Sequence, residues 1–357
     1  MRYKKLSDIC GFVKGKIDIA SLTQDTYIST ENMLANKAGI VAAAMLPIAA
    51  QTQRYEKGDV LISNIRPYFK KIWHSIHDGG CSNDVLVFRA KENVSSEFLY
   101  YVLSDDKFFD YATATSKGTK MPRGDKRAIM EYDVPDFSLE DQQRIASILK
   151  SLDDKIALNR TINKNLEEQA QTFFSYICSQ STKLIPFTEL IDIAGGGTPK
   201  TGNIDFWNGE IPFFTPKDVG TPYAITTEKH ITEMGLEHCN SALYPINTVF
   251  VTARGTIGKI SISGVPMAMN QSCYALLGKG ISQILVYFYA RAVIRSLQHK
   301  ANGAVFDTIV TRDFETENIC EFDDSTIASF VEFSESIYQK ILNNTIETDT
   351  LIKLRDT

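Results

Sequence analysis

The chain has 357 residues, 43% hydrophobic and 23% charged, which is enough for two or three domains of ordinary globular make-up. No run of about 18 apolar residues is present, and the amino-terminal MRYKKLSDIC has no apolar leader core, so neither a membrane span nor a secretory signal is supported and the cytoplasm is expected. The net charge of −5 argues against a polyanion partner only on average: residues 1–137 carry 19 basic and 17 acidic side chains, 138–180 carry 5 and 6, 181–322 carry 11 and 13, and 323–357 carry 3 and 7.

In residues 1–137, KGDVLISNIRPYFKKI (57–72) reads as a β-type apolar run ending in a turn that carries Asn64, Arg66, Lys70 and Lys71. Asparagine and arginine are the side chains best shaped to read adenine and guanine edges by paired hydrogen bonds. A second strand, CSNDVLVFRA, and a helix, SSEFLYYVLSDDKFFDYA, follow. TSKGTKMPRGDKRAIM then sets Lys117, Lys120, Arg123, Lys126 and Arg127, with Thr119, against Asp125 alone, and Gly118 and Gly124 permit close main-chain approach. This is the strongest basic patch of the chain.

From Ser138 to Gln180 there is neither Gly nor Pro, and Ser138 with Asp141 three residues later forms a helix N-cap. Ile145, Leu149, Leu152, Ile156, Asn159, Asn163, Leu166, Ala170, Phe173 and Ile177 step by alternating four and three, the seam of a coiled coil. The helix would be roughly 64 Å long.

Residues 181–322 repeat the plan. GGGTPKTGNIDFWNGEIPFFTPKDV (195–219) supplies Thr198, Lys200, Thr215 and Lys217, with Trp207 and Phe213 expected to pack the loop onto its sheet. INTVFVTARGTIGKI (246–260) parallels 57–72 and offers Arg254 and Lys259. MNQSCYALLG parallels CSNDVLVFRA and offers Asn270 and Gln271, and a helix, SQILVYFYARAVIRSLQHKA, comes next. The tail 323–357 is again free of Gly and Pro. At a shift of about 185 its Phe330, Ile337, Ile341, Asn344 and Leu351 fall opposite Ile145, Leu152, Ile156, Asn159 and Leu166. A buried asparagine weakens a seam but fixes its register, so Asn159 and Asn344 are expected to align the two helices.

The glycine-rich loop is not a phosphate-cradling P-loop, because the G-x-x-x-x-G-K-[ST] spacing and the following helix are missing, and GTIGK at 255–259 fails likewise. No G-x-S-x-G, H-E-x-x-H or EF-hand loop is present. The scattered Cys10, Cys81, Cys178, Cys239, Cys273 and Cys320, and His74, His77, His230, His238 and His299, show no metal-ligand spacing. The expectation is a non-enzymatic chain that binds no cofactor or metal.

Taken in order, GGGTPKTGNIDFWNGEIPFFTPKDV, TARGTIGK and NQS resemble a target recognition domain of the specificity subunits of Type I restriction-modification enzymes. KGDVLISNIRPYFKKI with SNDVLVFRAK and SKGTKMPRGDK resembles another variety of the same domain, and the 139–174 helix is similar to that family's spacer. The resemblance implies an α+β chain with recognition domains at 1–137 and 181–322, joined by spacer helices at 138–180 and 323–357 in an antiparallel coiled coil with pseudo-twofold repetition. It implies a sequence-specific reader of double-stranded DNA with a bipartite, asymmetric target. It also implies docking of two methyltransferase subunits and of restriction subunits, with S-adenosylmethionine, ATP and Mg on those partners. Members continue the last helix with an apolar stretch, whereas this chain stops at Thr357, so a short second helix is expected. Two other classes stay open: an assembly adaptor without DNA readout, and an enzyme acting on nucleotides or nucleic acid.

Overall fold

The computed structural model describes residues 2–220, 222–300 and 308–356. The chain divides into two compact units, Met1–Asp154 with Arg355–Thr357, and Lys155–Leu354, so the boundary lies inside the first long helix.

Unit 1 is built on a four-stranded antiparallel sheet in the order Cys10–Phe12, Val85–Ala90, Val60–Ser63, Ile72–His74. Successive strand residues face opposite ways, and both faces here are apolar. Val60, Ile62, Leu86 and Phe88 join a core with Phe98, Leu99, Phe108 and Phe109 from the helices Ser96–Ser104 and Asp106–Ala114. Leu61, Val85 and Val87 point into a separate core with Ile28, Tyr55 and Cys81. These last residues come from a second sheet, ordered Lys16–Asp18, Gln51–Tyr55, Gly79–Cys81, Tyr27–Ile28, whose last pairing is parallel. A sheet covered on both faces explains why VLIS and VLVF are unbroken apolar runs rather than alternating ones.

Unit 2 repeats the order of the first sheet and the parallel pairing of the second, with an added parallel edge strand. Ile191–Gly195, Cys273–Gly278, Val249–Thr252, Ile260–Ser263 and Tyr223–Ala224 form one sheet, and Lys229–Ile231, Trp207–Phe214 and Ala268–Met269 another. Phe214 lies parallel beside Met269 as Ile28 lies beside Cys81, and Thr252 pairs with Cys273 as Ser63 pairs with Val85. The repeat read from the sequence is therefore a repeat of strand register. The helix expected at 282–301 spans Gln283–Lys300; Ala301 lies outside the described residues.

The first long helix spans Leu139–Gln180, 42 residues, and the second Asp324–Arg355, 32 residues. The Asp141 N–H donates to Ser138 Oγ (3.1 Å) and the Thr326 N–H to Asp323 Oδ1 (2.8 Å), so each helix begins at a side-chain cap. Within unit 2 the helices run antiparallel: Phe173 meets Phe330 and Phe333, Asn163 meets Asn344, and Asn159 meets Glu347. Ile156, Asn159, Phe330, Ile337, Ile341 and Asn344 are buried, Leu166 packs on the same core, and Leu152 and Leu351 are half-buried. Ile145, also placed in the seam by its spacing, packs against the core of unit 1.

The asparagines do not meet in the combination that their alignment suggests. Asn344 Nδ2 donates to Asn163 Oδ1 (2.8 Å), while Asn159 Nδ2 donates to Glu347 Oε2 (2.8 Å), a carboxylate also 3.2 Å from Lys155 Nζ. An antiparallel pair opposes residues whose numbers run in opposite directions, so positions equivalent by repeat need not face each other. No helix among the described residues is long and apolar enough to cross a membrane.

Candidate nucleic-acid interface

In unit 1, main-chain hydrogen bonds join the two basic stretches. The Arg66 N–H donates to the Pro122 carbonyl (2.8 Å), the Gly124 N–H to the Asn64 carbonyl (3.1 Å), and Lys117 and Arg123 exchange two bonds of 2.9 Å each. The Asn64 N–H donates to the Asp84 carbonyl (2.8 Å), which adds the turn Ser82–Val85 to the same cluster. Residues 64–66, 82–85 and 117–124 thus form one surface.

The cations on it divide into held and unheld. Lys70 (2.9 Å) and Lys37 (2.7 Å) share Asp106, whose carboxyl is held below its ordinary range by Lys37 first and Lys70 second. Lys71 Nζ donates to the Thr30 carbonyl (2.6 Å). Lys70 and Lys71 therefore brace the turn from inside. Arg123 pairs with Asp84 (3.1 Å) and Lys117 with Asp125 (2.5 Å), and the Lys117 contact, with main-chain donors behind it, lowers the Asp125 carboxyl to about 2. Solvent screens the Arg123–Asp84 pair, so a phosphate can take the place of the Asp84 carboxylate, whereas Asp125 is also bound as a helix cap. Lys126 lies over the Phe12 ring, and Arg66 and Lys120 have no ion pair among the described residues. Thr119, Lys120 and Arg127 are exposed, as are Tyr68 and Phe69.

Asn64, read from the sequence as a base-edge reader, sits with its amide oxygen buried. This Oδ1 has no hydrogen-bond partner, and a Cβ on Gly124 would lie 3.0 Å from it. The residue fastens two loops and does not offer its amide oxygen to a base edge. Asp125 caps the short helix Lys126–Met130 and turns the chain back beneath the loop.

Unit 2 gathers four stretches around the turn Asn270–Cys273. The Asn270 N–H donates to the Phe214 carbonyl (3.0 Å), and the Ala253 and Arg254 N–H groups donate to the Ser272 carbonyl (2.7 and 3.3 Å). The glycine loop lies against this turn, since a Cβ at Gly196 would fall 2.1 Å from the Asn270 carbonyl oxygen and one at Gly197 2.5 Å from the Asn240 nitrogen. These glycines are needed for close backbone approach within the unit itself. The Thr198 hydroxyl donates to Gln271 Oε1, and Asn270 Oδ1 accepts from the Ser272 N–H (3.0 Å).

Lys200, Arg254 and Lys259 are exposed and have no ion pair among the described residues, whereas Lys217 lies 3.5 Å from Glu228. Thr215 bonds Asp218 through its N–H and hydroxyl (2.8 and 2.6 Å), shaping the turn before Lys217. Trp207 packs edge-on to buried Phe213 and donates to the Lys200 carbonyl (3.3 Å), which fixes the loop to its sheet. No group of three or more His, Cys, Asp or Glu suited to a metal occurs among the described residues.

One exposed residue was not singled out by sequence. Asn83 stands in the unit 1 turn where Gln271 stands in unit 2, as the alignment of CSND with MNQS implies.

Residues 1–168 and 183–320 match the family model described as Type I restriction modification DNA specificity domain. Over 121 residues, 32% of this chain and 28% of the relative, it is 31% identical to the Type I restriction enzyme MjaIX specificity subunit of Methanocaldococcus jannaschii, so that match spans under a third of the relative's length. Over 98% of this chain and 96% of the relative, it is 22% identical to the Type I restriction enzyme HindI specificity subunit of Haemophilus influenzae. In fold it is similar to the crystal structure of the Type I restriction-modification system S subunit from M. genitalium, with a TM-score of 0.63, 13% identity, and coverage of 99% of this chain and 94% of that one. With most of its length inside the matched family model, the chain belongs to the Type I restriction modification DNA specificity family.

Proposed function

We propose that this chain is the specificity subunit of a Type I restriction-modification complex and that it reads a bipartite, asymmetric DNA target, one half with each unit. Methyltransferase subunits dock on the long helices, restriction subunits join the assembly, and S-adenosylmethionine, ATP and Mg are held by those partners. The observation that carries this reading is that each unit builds the same cluster of main-chain-bonded turns and sets unpaired cations on it: Arg66 and Lys120 in one, Lys200, Arg254 and Lys259 in the other. Cations neutralise phosphates and position a protein on a duplex, whereas base edges are read by the few side chains between them.

Binding of the full chain to a randomised duplex pool, with enrichment over rounds, tests the reading. A bipartite motif is expected, with affinity for it at least about a thousandfold above that for random duplex. An adaptor without readout enriches nothing, and that outcome overturns the proposal.

A further inference from the structure

The turns at 82–85 and 270–273 are the same object built twice. The Ser82 N–H donates to the Ile28 carbonyl (2.8 Å) as the Asn270 N–H does to Phe214 (3.0 Å). The Val85 N–H closes on the Ser82 carbonyl (2.9 Å) as Cys273 closes on Asn270 (3.2 Å). The Asp84 N–H donates to Ser82 Oγ (3.3 Å) as Ser272 donates to Asn270 Oδ1 (3.0 Å). The Asp84 and Ser272 carbonyls accept from Asn64 and Ala253, and Ser63 and Thr252 donate to the carbonyls of Lys71 and Lys259. Each of these anchors has its counterpart; the Arg254 N–H adds one more bond to the Ser272 carbonyl (3.3 Å) in unit 2.

At the one position that no anchor uses, both turns place an exposed carboxamide. Asn83 has no side-chain hydrogen bond among the described residues, while Gln271 Oε1 accepts from Thr198 and keeps its NH2 donors and a second lone pair. A carboxamide offers a donor and an acceptor side by side, the pattern that complements the N6 and N7 edge of adenine in the major groove. On both sides stand cations suited to phosphate: Arg66, Lys117 and Arg123 near Asn83, and Arg254 near Gln271. Resting on the function proposed above, we propose that Asn83 and Gln271 are equivalent base-reading residues, one in each unit, each presented to an adenine edge.

The test selects motifs from a randomised duplex pool with the full chain and its N83A, N83D and Q271A variants. N83A is expected to flatten the preference for adenine at one position of one half by about tenfold or more and to leave every other position intact. Q271A does the same in the other half. N83D keeps the shape of the turn but removes the donor, and is expected to move the preferred base at that position from adenine towards cytosine, whose amino group a carboxylate accepts. Unaltered motifs in N83A and N83D, or a uniform loss across all positions in both, overturn the assignment. A wild-type chain that enriches no motif instead defeats the DNA-reading proposal itself, so the two failures are told apart.

Discussion

At the scale of single residues, glycine is the clearest case of sequence chemistry serving packing. Gly196 approaches the Asn270 carbonyl so closely that a Cβ would lie 2.1 Å from it, whereas a Cβ at neighbouring Gly195 meets nothing within 4 Å. Replacement of Gly196 by alanine is therefore expected to destabilise unit 2 by about 3 kcal/mol, or about 6–12 °C in its melting transition, with Gly195→Ala close to neutral. Calorimetry of the two variants checks this, and equal effects would mean that the loop yields. The sequence shows only that the glycines do not form a phosphate loop, and their nearest neighbours reveal that they admit backbone to backbone. Burial of a side-chain atom is likewise beyond the sequence: a polar residue beside arginine reads as a recognition group, yet the Oδ1 of Asn64 is buried.

Among elements, the long helices were the most legible part, because 42 residues without Gly or Pro and a four-three spacing leave few alternatives. What the spacing did not hold was the identity of the opposing residues. Asn163 faces Asn344 at 2.8 Å, and in the core around them Tyr338 of the second helix packs edge-on to Phe288 of the globular part, so the second helix is built into unit 2 and is not a free rod. Removing one partner of that pair strands a half-buried amide. Asn344→Leu alone is expected to cost about 1–3 kcal/mol, and the double change with Asn163→Leu to recover most of the loss, since two apolar groups leave nothing unsatisfied. A double-mutant cycle by urea denaturation measures the coupling, and simple additivity would show that the two amides do not depend on each other. The strands were equally legible in kind, and the alignment of CSND with MNQS even held their register, which was apparent only once the parallel pairings Ile28 with Cys81 and Phe214 with Met269 were seen.

For the whole molecule, a total charge of −5 is a poor guide to partners, because most carboxylates near the two candidate surfaces are spent on internal caps and pairs. On the function proposed above, phosphate would be met by the unpaired Lys120, Lys200 and Arg254 and by Arg123, whose pairing with Asp84 is exposed. Lys120→Ala with Arg123→Ala, and Lys200→Ala with Arg254→Ala, are each expected to weaken binding to specific and random duplexes alike. Each change should lower the slope of log affinity against log salt by about one per phosphate contact removed, and the combined variant by the sum. Titrations across a salt series decide this, and a slope unmoved by all four substitutions would place the duplex elsewhere on the protein. The two long helices were legible in the sequence, but not the points at which packing divides the chain, which fall between Asp154 and Lys155 and between Leu354 and Arg355, inside the two helices. Cores are set by which side chains touch, and helix periodicity is blind to that.

The turns that carry Asn83 and Gln271 are tied down by amide and carbonyl groups of the main chain, supplemented by a few short capping side chains. Main-chain groups are the same whatever residue bears them, so the side chains at 83, 254 and 271 are free to mutate with little penalty to folding. On the proposed reading, a head mounted in this way is able to drift from one target to another over evolutionary time while its scaffold persists.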